Sequence, residues 1–147
     1  MAWQVDMAHT QVAFAIRHLG ISLIRGNMAL ADAQLDLDEA NPENTKLTAR
    51  IDVKTLDTHD ANRDGHVKSA DFFDVEKFPY IEFTTKNVRR TANGKLEVTG
   101  DLTIKDVTRE LRLQGSYDGP VNDPISGKRK VGFALSGDVL KQDYGLT

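Results

Sequence analysis

Between Thr10 and Arg17 the apolar residues Val12, Phe14 and Ile16 alternate with Gln11, Ala13, Ala15 and Arg17. A period of two is the pattern of a strand with one buried face. The same alternation returns as Leu47, Ala49, Ile51, Val53; as Ile81, Phe83; as Leu96, Val98, Gly100, Leu102, Ile104; as Leu111, Leu113; and as Val131, Phe133, Leu135. Between Ile21 and Asp38 the apolar positions change phase between Leu30 and Leu35, which predicts a bulge or bend in a long strand. Turn chemistry separates the runs at Asn41-Pro42-Glu43-Asn44, at Thr91-Ala92-Asn93-Gly94, and from Asp118-Gly119-Pro120 through Gly127. These signals predict about seven antiparallel strands, mostly joined as hairpins.

Only Asp60 to Asp74 breaks the rhythm. Val67, Phe72 and Phe73 fall there at spacings nearer to helical, so a short helix is expected, with Asp60 or Asn62 as its cap. Pro79 then ends the helical segment and opens the next strand. A sandwich and a closed barrel both accommodate this pattern. The apolar face that persists from Lys95 to Lys105 favours a barrel, since about ten residues at about 3.3 Å each reach the height of a ligand-holding one.

Composition narrows the function classes. The 147 residues suit one domain, and no repeat or linker divides them. With 19 Lys+Arg interspersed among 22 Asp+Glu, the net charge of −3 gives no field that would gather nucleic acid. The absence of cysteine removes disulfides, zinc thiolates and thiol nucleophiles together. No apolar run is long enough to form a transmembrane segment, and the first residues do not read as a signal peptide. That leaves two expectations: a protein that is periplasmic or secreted after signal removal, or a cytoplasmic one.

Candidate chemistry concentrates in "THDANRDGHVKSADFFDVEKFPYIEF", Thr58 to Phe83. His59, Asp64 and His66 offer ligands for a small metal-dependent or hydrolase-like enzyme. Seven residues separate the histidines, however, or about 10 Å of helical rise, and no HExxH pattern occurs. The alternative is a structural corner in which Arg63 and Asp64 form ion pairs while Phe72 and Phe73 plug the core; this reading is preferred, and no metal site or cofactor is expected. None of the serines lies in a Gly-x-Ser-x-Gly elbow. His18, after the strand "FAIRH", is expected near one end of the interior, either as a hydrogen-bonded core histidine or beside a ligand's polar head.

Taken in order, "W-x-V-D-x-x-H-T-x-V-x-F-x-I-R-H-L-G" (Trp3 to Gly20), "T-L-D-T" (Thr55 to Thr58), "N-R-D-G-H-V" (Asn62 to Val67), "D-F-F-D" (Asp71 to Asp74) and "F-P-Y-I-E-F" (Phe78 to Phe83) resemble the YceI-like family of lipocalin-like, polyisoprenoid-binding proteins. "G-D-L-T-I-K-D-V-T-R-E-L-R-L" (Gly100 to Leu113) is similar to the family's central hairpin, and Gly132-Phe133 with "D-Y-G-L" (Asp143 to Leu146) to its late strands. Departures are Asp106 at a usual turn glycine, Lys141 for a common arginine and Met28 for a usual aromatic. The resemblance implies an all-β, extended antiparallel eight-stranded lipocalin-like barrel with a short helical insert and an apolar tunnel. It also implies one more strand after Leu146, which leaves three alternatives: further residues that supply it, a second chain that closes the open seam as in a homodimer, or an incomplete barrel.

On this reading residues 1–147 form one lipid-binding barrel domain without enzymatic activity. Phe14, Ile16, Ile51, Val53, Phe83, Leu102, Ile104, Leu111, Leu113, Phe133 and Leu135 are expected to line the interior, with Phe72 and Phe73 at the helical corner and His18 near the head group. The expected ligand is a polyprenyl lipid: a polyisoprenoid, an isoprenoid quinone-like molecule or its precursor, or a prenyl phosphate. A third class, a structural or interaction domain with a filled core, predicts no bound lipid.

Overall fold

The computed structural model describes residues 3–6, 10–18, 22–92 and 94–146, apart from the side chains of Arg17, His18 and Ser22. Seven strands, β1 (Val12–His18), β2 (Ser22–Asp36), β3 (Lys46–Asp57), β4 (Tyr80–Ala92), β5 (Lys95–Ile104), β6 (Val107–Asn122) and β7 (Arg129–Ser136), lie side by side in chain order. Every neighbouring pair is antiparallel, and the sheet curls into a half-barrel. One short helix, α1 (Ala61–Lys68), follows β3. Among the described residues β1 and β7 each pair on one side only.

The phase change expected in the second strand is a pair of register shifts against β3, between Asn27 and Ala29 and between Leu30 and Asp32. Thr55 Oγ1 accepts the Ala29 N–H at 2.8 Å there, replacing a ladder bond that the irregularity removes. Two other expectations are corrected. The turn expected from Asp118 to Gly127 is shorter, because β6 runs on to Asn122 with an irregularity between Asp118 and Val121. Asp123 closes the true turn by accepting the N–H of Ile125 (2.9 Å) and the hydroxyl of Ser126 (3.0 Å). Asp143 to Leu146, expected as a late strand, is instead the end of a 3₁₀ turn (Lys141–Tyr144). Gly145 takes φ +73° and its N–H bonds back to Gln142, a left-handed cap that ends the turn. In the β5–β6 hairpin Lys105, not Asp106, carries the positive φ, +58°.

The sheet has two chemically distinct faces. Paired across the outer face run Asp32, Arg50, Glu82, Thr103 and Thr108. Arg50 Nε donates to both Asp32 oxygens, at 3.0 and 3.1 Å, and its guanidinium lies 4.5 Å from the Tyr80 ring centre. Lys86 joins Asp101 (3.8 Å) and Glu110 (3.1 Å), and Glu97 takes Arg89 (3.0 Å) and Arg112 (3.7 Å). The inner face is apolar: Val53, Ile81, Phe83, Val88, Val98, Leu102 and Ile104 are buried in one cluster. Phe73 and Val75, from the segment after α1, close this cluster together with Tyr144 and Leu146 from the 3₁₀ turn.

Candidate functional site: the concave face

Register brings the predicted lining residues to one face. Phe14 and Ile16 lie on β1, Ile51 and Val53 on β3, Phe83 on β4, Leu102 and Ile104 on β5, Leu111 and Leu113 on β6, and Phe133 and Leu135 on β7. Cross-strand pairs tie them together: Ile51 with Ile81, Phe83 with Leu102, Gly100 with Leu111, Val98 with Leu113, and Gly115 with Leu135. Their burial differs across the sheet. Val53, Phe83, Leu102 and Ile104, with Phe73, are buried at the centre, whereas Phe14, Ile51, Phe72, Leu111, Leu113 and Leu135 are half-covered neighbours of that cluster. Ile16 is half-buried, and Phe133 stands 38% exposed at the β7 edge. The centre of the concavity is thus filled by its own side chains, while the inner faces of β1, β6 and β7 keep apolar surface open. His18 ends β1, opposite Ser22, and its side chain lies outside the described residues.

The dense segment after β3 is a structural corner. Asp60 caps α1 by accepting the N–H groups of Asn62 and Arg63, both at 3.1 Å. Asp64, one turn on, accepts the backbone N–H of buried Thr58 at 3.0 and 3.2 Å and also its hydroxyl. Arg63 donates to the Thr58 hydroxyl (2.8 Å) and carbonyl (2.7 Å). Partial burial raises the Asp64 carboxyl, but the bonds from Thr58 outweigh it and hold the group below its ordinary value. Arg63 and Asp64, expected in ion pairs, therefore converge on Thr58 and lock the helix to the end of β3. His59 and His66 are exposed, and no group of three or more His, Asp or Glu with metal-holding geometry exists among the described residues.

Two polar groups on the concave face escaped sequence reading. Arg109 pairs with Leu102 and shares the face of Leu111, so the alternation places a cation at one end of the apolar strip. Tyr117 occupies the other end of the strip, its ring 5.2 Å from Phe133 and its N–H bonded to Gly94 at 2.9 Å. Burial raises the Tyr117 hydroxyl above its ordinary value, with Glu39 adding to the effect and Arg129 and Arg90 opposing it. Alternation with Leu111 and Leu113 puts both residues on this face, and strand pairing shows what each one lies beside. Two surface grooves are also present, of about 400 Å³ between Trp3 and β2 and of about 630 Å³ beside Asp38, Thr45 and Asn87. Neither is lined by any of the predicted interior residues.

Comparison with known proteins places this geometry. Residues 3–147 match the family model of the YceI-like domain. Protein YceI of Salmonella arizonae is 37% identical over 139 residues, covering 95% of this chain and 72% of the relative. The crystal structure of the Campylobacter jejuni YceI protein superposes with a TM-score of 0.76 at 34% identity, covering 99% of this chain and 85% of that one. Burkholderia cenocepacia BcnA, at 21% identity, shares the fold with a TM-score of 0.83 over 97% of this chain and 85% of its own. A half-barrel built from the matching motifs, a helical corner locked by Thr58, and agreement over nearly the whole chain have one common account: the chain belongs to the YceI-like domain family.

Proposed function

We propose that this protein binds and carries a long prenyl-type lipid against its concave face, without covalent chemistry. The observation that supports this reading is the asymmetry of cover. A polar, ion-paired outer face backs an inner face whose apolar side chains on β1, β6 and β7 remain half-open, Phe133 most of all. Apolar surface held open in a concavity is a binding surface by default. Burying about ten methylene equivalents contributes on the order of 8 kcal/mol, near micromolar affinity before the cost of ordering the chain. The family resemblance supplies the prenyl class. The sides of β1 and β7 that are unpaired among the described residues support strand pairing with a second copy, and the resemblance supports a periplasmic or secreted setting.

Native mass spectrometry of the purified protein, followed by organic extraction of its ligands, tests the reading. A co-purifying prenyl lipid that is lost in Leu113→Asp supports it. A protein that is empty and takes up no added prenyl lipid has a filled core instead, which the closed centre of the inner face favours.

A further inference from the structure

The apolar strip along β6 runs from Arg109 through Leu111, Leu113 and Gly115 to Tyr117, about 26 Å at about 3.3 Å per residue. Its two ends differ in what they lack. Arg109 is exposed and forms no ion pair among the described residues, so its guanidinium is open to solvent. The Tyr117 hydroxyl is buried and has no hydrogen-bond partner among the described residues. A buried hydroxyl without a partner is costly, and a ligand that supplies one recovers that cost on binding.

The charges around Tyr117 indicate what kind of partner fits. Arg129, on β7, is held by Glu39 and also reaches Asn122 Oδ1 at 3.4 Å. Arg90, which shares the inner face with Val88, lies 3.8 Å from Glu43. Two arginines and two glutamates thus cancel at this rim. A phosphate brought to the phenol would meet Glu39 as well as Arg129, and would have to displace one from the other. A neutral oxygen needs no such exchange and is matched to a neutral donor.

We infer that Tyr117 is the polar end of the binding face, where its hydroxyl donates to an uncharged ligand oxygen, a carbonyl or hydroxyl, so that the protein selects neutral prenyl alcohols or quinones over prenyl phosphates. The inference rests on the lipid-carrier reading and adds the head group's chemistry and place. A phenol is protonated at neutral pH at its ordinary value of 10.0, and burial only raises it further, so the hydroxyl is available as a donor.

Affinities of the full chain for geranylgeraniol, geranylgeranyl diphosphate and the head-less hydrocarbon phytane, measured by tryptophan-independent fluorescent-probe displacement, give the test. Wild type is expected to prefer geranylgeraniol to phytane by about 10-fold, Tyr117→Phe to reduce that ratio to about one, and Arg109→Gln to leave it unchanged. Without ligand, Tyr117→Phe is expected to unfold at a denaturant midpoint equal to or above wild type, because the hydroxyl it removes has no partner among the described residues. A preference for the diphosphate that is lost in Arg109→Gln would move the polar end to Arg109 and overturn the inference while sparing the carrier reading. So would a ratio unchanged in Tyr117→Phe, or a lower midpoint for that variant, which would reveal a partner in the free protein. Failure of all three probes to bind would overturn the carrier reading and the inference with it.

Discussion

Thr58 shows how a single side chain can hold a corner of the fold. Its hydroxyl donates to Asp64 and accepts from Arg63, and its backbone N–H and carbonyl are bonded to the same two residues. Thr58→Val keeps the shape and removes the hydroxyl, leaving Arg63 and Asp64 short of a partner. A loss of about 1–3 kcal/mol is expected in chemical denaturation, and an unchanged midpoint would show the corner to be redundant. Asp64 also predicts an acid limb. Its carboxyl lies below the ordinary value of 3.8 in the fold, as do those of Asp32 beside Arg50, Asp38 under the N–H of Asn41, and Asp123 beside Lys130. A lowered native value means that the folded state favours the charged form. The stability these groups contribute is complete above the unfolded value and is lost as pH falls through the native ones. Folding free energy measured across pH is therefore expected to be flat between about pH 5 and about pH 9 and to fall below about pH 4, less steeply in Asp64→Asn. Stability that rose on acidification through this range would contradict the assignment.

At the scale of elements, α1 and the β4–β5 pair carry opposite glycine effects. Gly65 lies inside α1, is exposed, and leaves open space where a Cβ would stand. Gly65→Ala is expected to stabilise the protein by about 0.5–1 kcal/mol, visible as a higher melting temperature, because alanine lowers the entropy cost of the helix. Gly100, on β5 opposite Thr85, is different: a Cβ there would come within 2.5 Å of the Thr84 carbonyl oxygen and 2.6 Å of the Phe83 ring. Gly100→Ala is expected to cost about 1–3 kcal/mol by forcing the Phe83 ring from the middle of the core. The helix itself was legible in advance, from Asp60 as a cap and from the break in alternation. The length of β6 was not, because Gly119 and Pro120 are turn residues by composition and only pairing with β7 keeps the strand running past them.

At the scale of the whole molecule, the sheet divides its inner face into a closed centre and two open flanks. Leu113→Asp places a charge on an open flank and is expected to abolish uptake of prenyl lipid while the far-ultraviolet circular dichroism keeps its β signature. The same charge on the closed centre, as in Phe83→Asp, is expected to unfold the protein, since burying an unpaired carboxylate there has no compensation. Equal behaviour of the two variants would show that centre and flanks are one core. If the sides of β1 and β7 left unpaired among the described residues pair between copies, light scattering at increasing concentration is expected to show a dimer, and a charged or proline substitution on β7 to shift it toward monomer.

Alternation by itself determined the all-β class and the inner membership of residues such as Phe83, Leu102 and Leu113, because a period of two assigns every second side chain to one face wherever a strand runs, and the short turns between the runs added the antiparallel order. The helical corner followed from cap and turn chemistry, which acts within a few residues. Tertiary structure alone decided how deeply each inner residue is covered, since burial depends on what packs over it: the segment after α1 and the 3₁₀ turn close the centre and leave the flanks open. It alone placed Arg109 beside Leu102 and Tyr117 beside Phe133. Those neighbours are far apart or indistinct along the chain, and the energy of a buried hydroxyl is set by the strands that surround it, not by the residues that precede it.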